Sequence, residues 1–332
     1  MTIDLAAVDE PVVGRLPRTM ASKTNESTVA TGHAVSRRTG LTASIVDVGY
    51  RTKDVLTYSS AYLVFIAMIE VLTVHAVLSL PVNPAPVVVG LVTFSVYAGD
   101  RIADASSDEP ASPERSAFVT RHRTLLSVLT AIAYGVAIAV SITGGPLALA
   151  ITLLPGAFWI LYASDWLPTL GAYFKRLKEV LIVNSAIVAG AWAIAVVGLP
   201  MAFADASLTP LAGVLFGYFF LDTFVNTEIP NVRDVDVDEA LGVSTMPVVF
   251  GIRRTRRILY ALDLLLVAFV CLALFSGVLS VTFAVAILAG LAYALALAWF
   301  VGRSDAHGRL AIAGEAKHLV VFALILVLSA GI

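Results

Sequence analysis

Residues 208–251 read LTPLAGVLFGYFFLDTFVNTEIPNVRDVDVDEALGVSTMPVVFG, an apolar run that ends in a cluster of acids. Its first part, about 208–226, is long enough to cross a bilayer as a helix, which takes roughly 20 mostly apolar residues. Its second part puts Asp234, Asp236, Asp238 and Glu239 into six positions of a chain in which 14% of residues are charged. A second acidic run, Asp100, Asp104 and Asp108, closes another apolar segment far upstream. The chain thus gathers carboxylates at two places where greasy segments end.

The rest of the chain is built the same way. Of its 332 residues 58% are hydrophobic, and the mean hydropathy is +0.88. Soluble domains are nearer half apolar and about a quarter charged, so the composition is that of a polytopic membrane protein. Nine spans are expected, at about 56–80, 84–99, 122–142, 146–163, 178–198, 208–226, 257–277, 279–301 and 315–332. A closed β-barrel is the other structure that can satisfy its backbone in lipid. The runs here are continuous, without the alternation of barrel strands, so the expected fold is all-α, a nine-transmembrane-helix bundle.

Residues 1–55 differ from the remainder: they are polar, Ser/Thr-rich and lack a sustained apolar period. They read as a disordered cytoplasmic tail with no apolar core of signal-peptide length. Residues 56–332 form the expected membrane domain. A net charge of −2 gives no electrostatic ground for nucleic-acid binding, and no obligate protein partner is evident. The single cysteine, Cys271, lies in an apolar run and cannot form an intramolecular disulfide.

Charge sets the expected orientation. The 22 Lys and Arg residues fall in the N-terminal tail or in and beside the loops after the second, fourth, sixth and eighth spans. Examples are Arg101, Arg115, Arg121 and Arg123, then Lys175, Arg176 and Lys178, then Arg253 to Arg257, and last Arg303, Arg309 and Lys317. By the positive-inside rule these loops and the N-terminus face the cytoplasm, in a multi-pass protein of the cell membrane. Both acidic runs lie on that side, so function is expected there.

Asp100, Asp104 and Asp108 recur every four residues, which places them on one face of a continuing helix. Asp234 and Asp238 repeat the spacing, with Asn231 on the same side and Asp236 turned away. Like charges so close repel and call for a cation. Carboxylates without Cys or clustered His suit a hard, oxygen-seeking ion, foremost Mg²⁺, which completes its shell with water and substrate phosphates. Solvated helix ends are the plain alternative, weakened by there being two such runs on one side. Ala186–Ala195 and Ala284–Ala298 read as packing surfaces, small residues that let helices approach. Within the spans, Glu70 and His75 are five apart and need not pair. Asp222 and Asp263, near cytoplasmic helix ends, are expected to be exposed or paired with loop arginines.

The combination resembles the UbiA superfamily of intramembrane prenyltransferases, over about 56–332. That family has nine transmembrane helices and cytoplasmic motifs NDxxDxxxD and DxxxD, the second running on into GxxTLPxxxG. Here Asp234 and Asp238 are followed by Gly242, Thr245, Met246, Pro247 and Gly251. The first motif departs from the pattern, with Asp100 where the family has Asn and Arg101 where it has Asp.

The resemblance implies transfer of a prenyl group from a prenyl diphosphate to a lipophilic acceptor, aromatic in the first instance. It implies Asp100, Asp104, Asp108, Asp234 and Asp238 as catalytic residues. Asp104, Asp108, Asp234 and Asp238 would hold Mg²⁺. Arg101, Arg121, Lys175, Arg176, Lys178 and Asn231 would bind substrate, although each cation also fits an ordinary positive-inside charge. Tyr162, with Tyr97 and Trp159, could face an allylic cation, or simply pack. Two alternatives stand beside this reading: prenylation of a non-aromatic acceptor such as a glycerol phosphate ether lipid or a carotenoid, and a non-enzymatic cation-coupled transporter. Transporter sites lie near the bilayer midplane on broken helices, whereas these carboxylates sit at one face.

Overall fold

Apolar runs in a bilayer must satisfy every peptide group internally, and a helix does so within one segment. In the structure, a computed structural model that describes residues 61–103, 105, 113–163, 183–301, 303 and 307–330, every regular element is helical. These residues fall within one unit, Arg51–Ile332. The expected tail, 1–55, lies outside them.

The elements are α1 (Ala61–Leu78), α2 (Ala85–Ala103), the short α3 (Pro113–Arg121), α4 (Arg123–Ser141), α5 (Gly145–Ala163) and α6 (Val183–Ala193). A π-helical turn, Ile194–Gly198, joins α6 to α7 (Leu199–Phe203). Then come α8 (Pro210–Arg233), α9 (Val235–Leu241), α10 (Met246–Phe250), α11 (Ile252–Phe275), α12 (Val281–Ala298) and α13 (His307–Ala330).

Seven segments among the described residues are long and apolar enough to cross a membrane, fewer than the nine expected. Two features account for the difference. One segment, Arg123–Ala157, is a hairpin: Gly145 turns the chain at a φ of +85°, and Tyr134 Oη donates back to the Thr152 carbonyl at 3.3 Å. Glycine alone adopts that backbone region freely. The other is α8, which has 24 residues but carries Asp222, Asn226 and Glu228 in its C-terminal half.

Neighbouring helices run in opposite directions around the bundle, with α13 packed on both α12 and α1 so that the ring closes. Contacts fix which ends coincide. A Cβ on Gly90 of α2 would touch Met68 and Val64 of α1, so the end of α2 lies by the start of α1. Tyr62 at the start of α1 donates to the Ile312 carbonyl at 2.8 Å, and Tyr293 of α12 donates to that of Ala313 at 3.0 Å. Arg256 of α11 reaches the Val301 carbonyl at 3.2 Å. Ile229 of α8 stands beside Gly314 of α13. The ends of α2, α8 and α12 and the starts of α1, α11 and α13 therefore form one end of the bundle.

The core is made of small and branched side chains such as Ala67, Val71, Val88, Ala193, Leu215, Ala284, Ile287 and Leu291. Ala189, Ala193, Ala284, Ala286 and Ala298 are buried, as expected of the two packing surfaces. A Cβ at Gly290 would overlap the Val321 side chain, so α12 and α13 approach as closely as glycine permits. The outer surface carries Leu125, Val128, Ile132, Leu264, Leu265, Leu272 and Phe275, the residues a lipid environment accepts without cost.

Candidate functional site

The 231–251 stretch is a chain of short helices joined by residues suited to each junction. α8 ends after Pro230, and Asp234 sits between α8 and α9 at φ −93°, ψ 8°. Its amide donates to the Pro230 carbonyl at 3.2 Å, and its carbonyl accepts from the Asp238 amide at 2.8 Å. Gly242 then stops α9 in the left-handed region at φ +72°, which a side chain would strain. Thr245 is the extended N-cap of α10, with Pro247 in its first turn and Gly251 leaving it at φ +77°. Thr245 Oγ1 does not cap α10; it donates to Asp238 Oδ2 at 3.2 Å. The threonine of the tail thus steadies an aspartate of the motif.

Asp234 and Asp238 are half-buried, while Asp236 and Glu239 are exposed. Behind them Glu228, 1% exposed, accepts from Ser185 Oγ of α6 at 2.5 Å and from Asn231 Nδ2 at 3.0 Å. Asn231, expected to bind substrate, gives an amide hydrogen to this buried carboxylate one turn back on α8, and it is Glu228 that ties the end of α8 to Ser185 of α6. The sequence reading passed over Glu228 because nothing in its local pattern shows that Ser185 faces it.

Asp100 and Arg101 occupy the last turn of α2, at the same end of the bundle as Asp234 and Asp238. Arg121 closes α3 and is exposed. Tyr162 belongs to the last turn of α5. Asp104, Asp108, Lys175, Arg176 and Lys178 lie outside the described residues.

A second polar group lies inside the bundle, where the sequence led us to expect otherwise. Asp222 and Asp263, expected to be exposed or paired with loop arginines, are 1% and 2% exposed. Asp222 meets Lys317 and His318 instead. Lys317 Nζ stands 2.6 Å from Asp222 Oδ1, a contact of charge without the angles of a hydrogen bond, and 3.0 Å from Asn226 Oδ1. His318 Nε2 lies 2.9 Å from Glu70 Oε1 and 3.3 Å from Asp222 Oδ2. The other Glu70 oxygen accepts from Trp192 Nε1 at 2.7 Å. His75, as expected, is not its partner: it turns Nδ1 to the Val71 carbonyl at 2.9 Å.

The reason is a helix boundary. α13 begins at His307, well before the expected 315, which moves Lys317 from a basic loop to the interior. With Lys317 buried, Asp222 has its counter-charge within the bundle and needs no loop arginine.

Comparison with known proteins bears on this arrangement. The UbiA prenyltransferase family matches residues 88–321. Among curated proteins none matches significantly. Three solved structures share the fold. One, an apo UbiA homologue from Aeropyrum pernix K1, has a TM-score of 0.58 at 16% identity, over 80% of this chain and 96% of that one. Another, a UbiA homologue from Archaeoglobus fulgidus bound to DMAPP and Mg²⁺, has a TM-score of 0.53 at 14% identity, over 82% and 99%. The third, from work on digeranylgeranylglyceryl phosphate synthase in membranes, has a TM-score of 0.55 at 14% identity, over 84% and 100%. At such identities the likeness is one of fold, and it is the family match, over most of the chain and through the second acidic motif, that decides: the protein belongs to the UbiA prenyltransferase family.

Proposed function

We propose that the protein transfers a prenyl group from a prenyl diphosphate to a lipophilic acceptor, an aromatic ring in the first instance, at the cytoplasmic side of the cell membrane. One observation supports this reading above others: Asp100 in the last turn of α2 and Asp234 at the end of α8, with Asp238 in the first turn of α9, lie at one end of the bundle, in a chain of a prenyltransferase family. The donors there are carboxylate oxygens, the set a hard divalent cation takes. Asp104, Asp108, Asp234 and Asp238 would hold Mg²⁺, the ion that the Archaeoglobus homologue binds together with DMAPP. Bound Mg²⁺ offsets the negative charge that the departing diphosphate gathers.

The protein's own residues do the remaining work. Arg101 at the end of α2 meets phosphate oxygens, with Arg121, Lys175, Arg176 and Lys178 as further cationic contacts. Asn231, held by Glu228, keeps the end of α8 in place. Tyr162, from the last turn of α5, would stabilise the allylic cation.

The test is incubation of membranes containing the protein with labelled prenyl diphosphates of several lengths, a lipid extract and Mg²⁺. Mass spectrometry should find a prenylated lipid that disappears when EDTA is added. Cation flux into vesicles with no diphosphate consumed would instead favour transport. Thr245→Val adds a finer check. It removes the hydroxyl that holds Asp238 and leaves α10 its backbone, so melting should be nearly unchanged. The Mg²⁺ concentration giving half-maximal rate should rise about 10–100-fold, the usual effect of losing a group that orients a ligand. An unchanged Mg²⁺ requirement would separate Asp238 from the metal.

A further inference from the structure

The interior charge group is separate from the residues proposed to hold the diphosphate, and it is too costly in a bilayer to be ignored. Glu70 of α1, Asp222 of α8 and Glu315 of α13 face Lys317 and His318, also of α13. Glu70, Asp222, Lys317 and His318 are all within a few per cent of complete burial and engage one another. Glu315 is different. Its carboxylate lies within 4.8 Å of the donor atoms of Glu70 and His318, yet it keeps part of its surface accessible. Its neighbours Glu70 and His318 are buried.

Two further observations mark this group as a place for a ligand. Tyr218, one turn before Asp222 on α8, is 2% exposed and within electrostatic reach of Asp222, Glu70 and Asp263, and its hydroxyl has no hydrogen-bond partner. A buried hydroxyl left unpaired is costly. Tyr97 on α2 lies within electrostatic reach of Glu315, Glu70 and Asp100 together. Along α13, Glu315 is about 12 Å from the helix start at His307, roughly two turns below the mouth of the bundle.

Building on the prenyltransferase reading, we propose that a hydroxyl-bearing acceptor docks against this interior group and that the Glu315 carboxylate takes up the proton it releases. In that step the allylic C–O bond breaks and its electron pair leaves with the diphosphate. The acceptor supplies the electron pair of the new bond to the allylic carbon, and its displaced proton passes to a Glu315 oxygen. Glu70 and Asp222 hold His318 between them, and Lys317 holds Asp222, so the neighbours of Glu315 stay fixed while it changes charge. The ionisable groups within its reach are Glu70, Asp222, Lys317 and His318, with the phenols Tyr62 and Tyr97. Glu70, Glu315 and His318 are also spaced as three metal ligands could be. However, His318 Nε2 sits at hydrogen-bond distance from Glu70 and close to Asp222, which is the position of a donated proton.

The experiment compares wild type, Glu315→Gln and Glu315→Asp as full chains in lipid nanodiscs, with labelled prenyl diphosphates, Mg²⁺ and a lipid extract. Diphosphate release and prenylated product are measured separately, with a thermal melt of each protein. Glu315→Gln should form product about 10²-fold or more slowly, the range of a lost general base, while still releasing diphosphate as water captures the prenyl group. Glu315→Asp, which keeps a carboxylate, should recover part of the transfer. Wild-type transfer by Glu315→Gln would overturn the inference and leave the prenyltransferase reading intact. Equal loss of release, transfer and melting temperature in both variants would overturn it in favour of a packing role. No diphosphate consumption by wild type would remove the prenyltransferase reading, and this inference with it.

Discussion

Asp234→Asn should lower Mg²⁺-dependent diphosphate release by on the order of 10²–10³, the effect of removing one group that meets charge developing in a transition state. The substitution suits the test because it spares the fold. Asp234 joins α8 to α9 through its backbone amide and carbonyl, and Asn caps helices as well as Asp does. What changes is one negative charge on a half-buried carboxylate at the mouth of the bundle. Asp104→Asn, in the other acidic run, should behave alike. Asp236→Asn is the control: that side chain is exposed, so its rate should stay near wild type. Unchanged turnover in both Asp104→Asn and Asp234→Asn would dismantle the proposed clamp, and a loss in Asp236→Asn would move it.

The second large effect is on stability. Lys317→Met removes the cation beside Asp222, where the two side chains are 2% and 1% exposed. Breaking a buried ion pair from one side costs about 3–5 kcal/mol, since the remaining charge is left desolvated. Asp222→Leu alone strands Lys317 in the same way. The double variant should melt well above either single one, because two apolar side chains of similar size tolerate the interior that one bare charge does not. Thermal melts in one detergent, with the four proteins side by side, supply the comparison. Additive losses in the double variant would mean that the two groups do not depend on each other.

How far the sequence could be read depended on the distance between partners. The all-helical membrane fold was legible because the apolar runs are long and continuous. Gly242, Pro247 and Gly251 were legible as the tail of a family motif, and the structure shows them at the junctions of α9, α10 and α11. The interior charge group was not, since Glu70, Trp192, Asp222 and His318 come from four separate helices and no window holds two of them. Lys317 shows the same limit at a helix end. The turns from His307 to Gly314 are polar enough to read as loop; in the structure they are helix, with Tyr62 and Tyr293 donating to the Ile312 and Ala313 carbonyls. Glu228 passed unnoticed for a similar reason, its partner Ser185 lying on another helix.

The contact of α13 with α1 has a consequence for biogenesis. The helices enter the membrane in the order of synthesis, so Glu70 is inserted long before His318 exists. Until α13 arrives, Glu70 and Asp222 stand in the bilayer without the basic partners they have in the folded protein. Assembly is therefore completed by its latest described helix. A nascent chain arrested before Lys317 should remain a target for membrane quality control, whereas the finished chain, with these charges matched, should escape it.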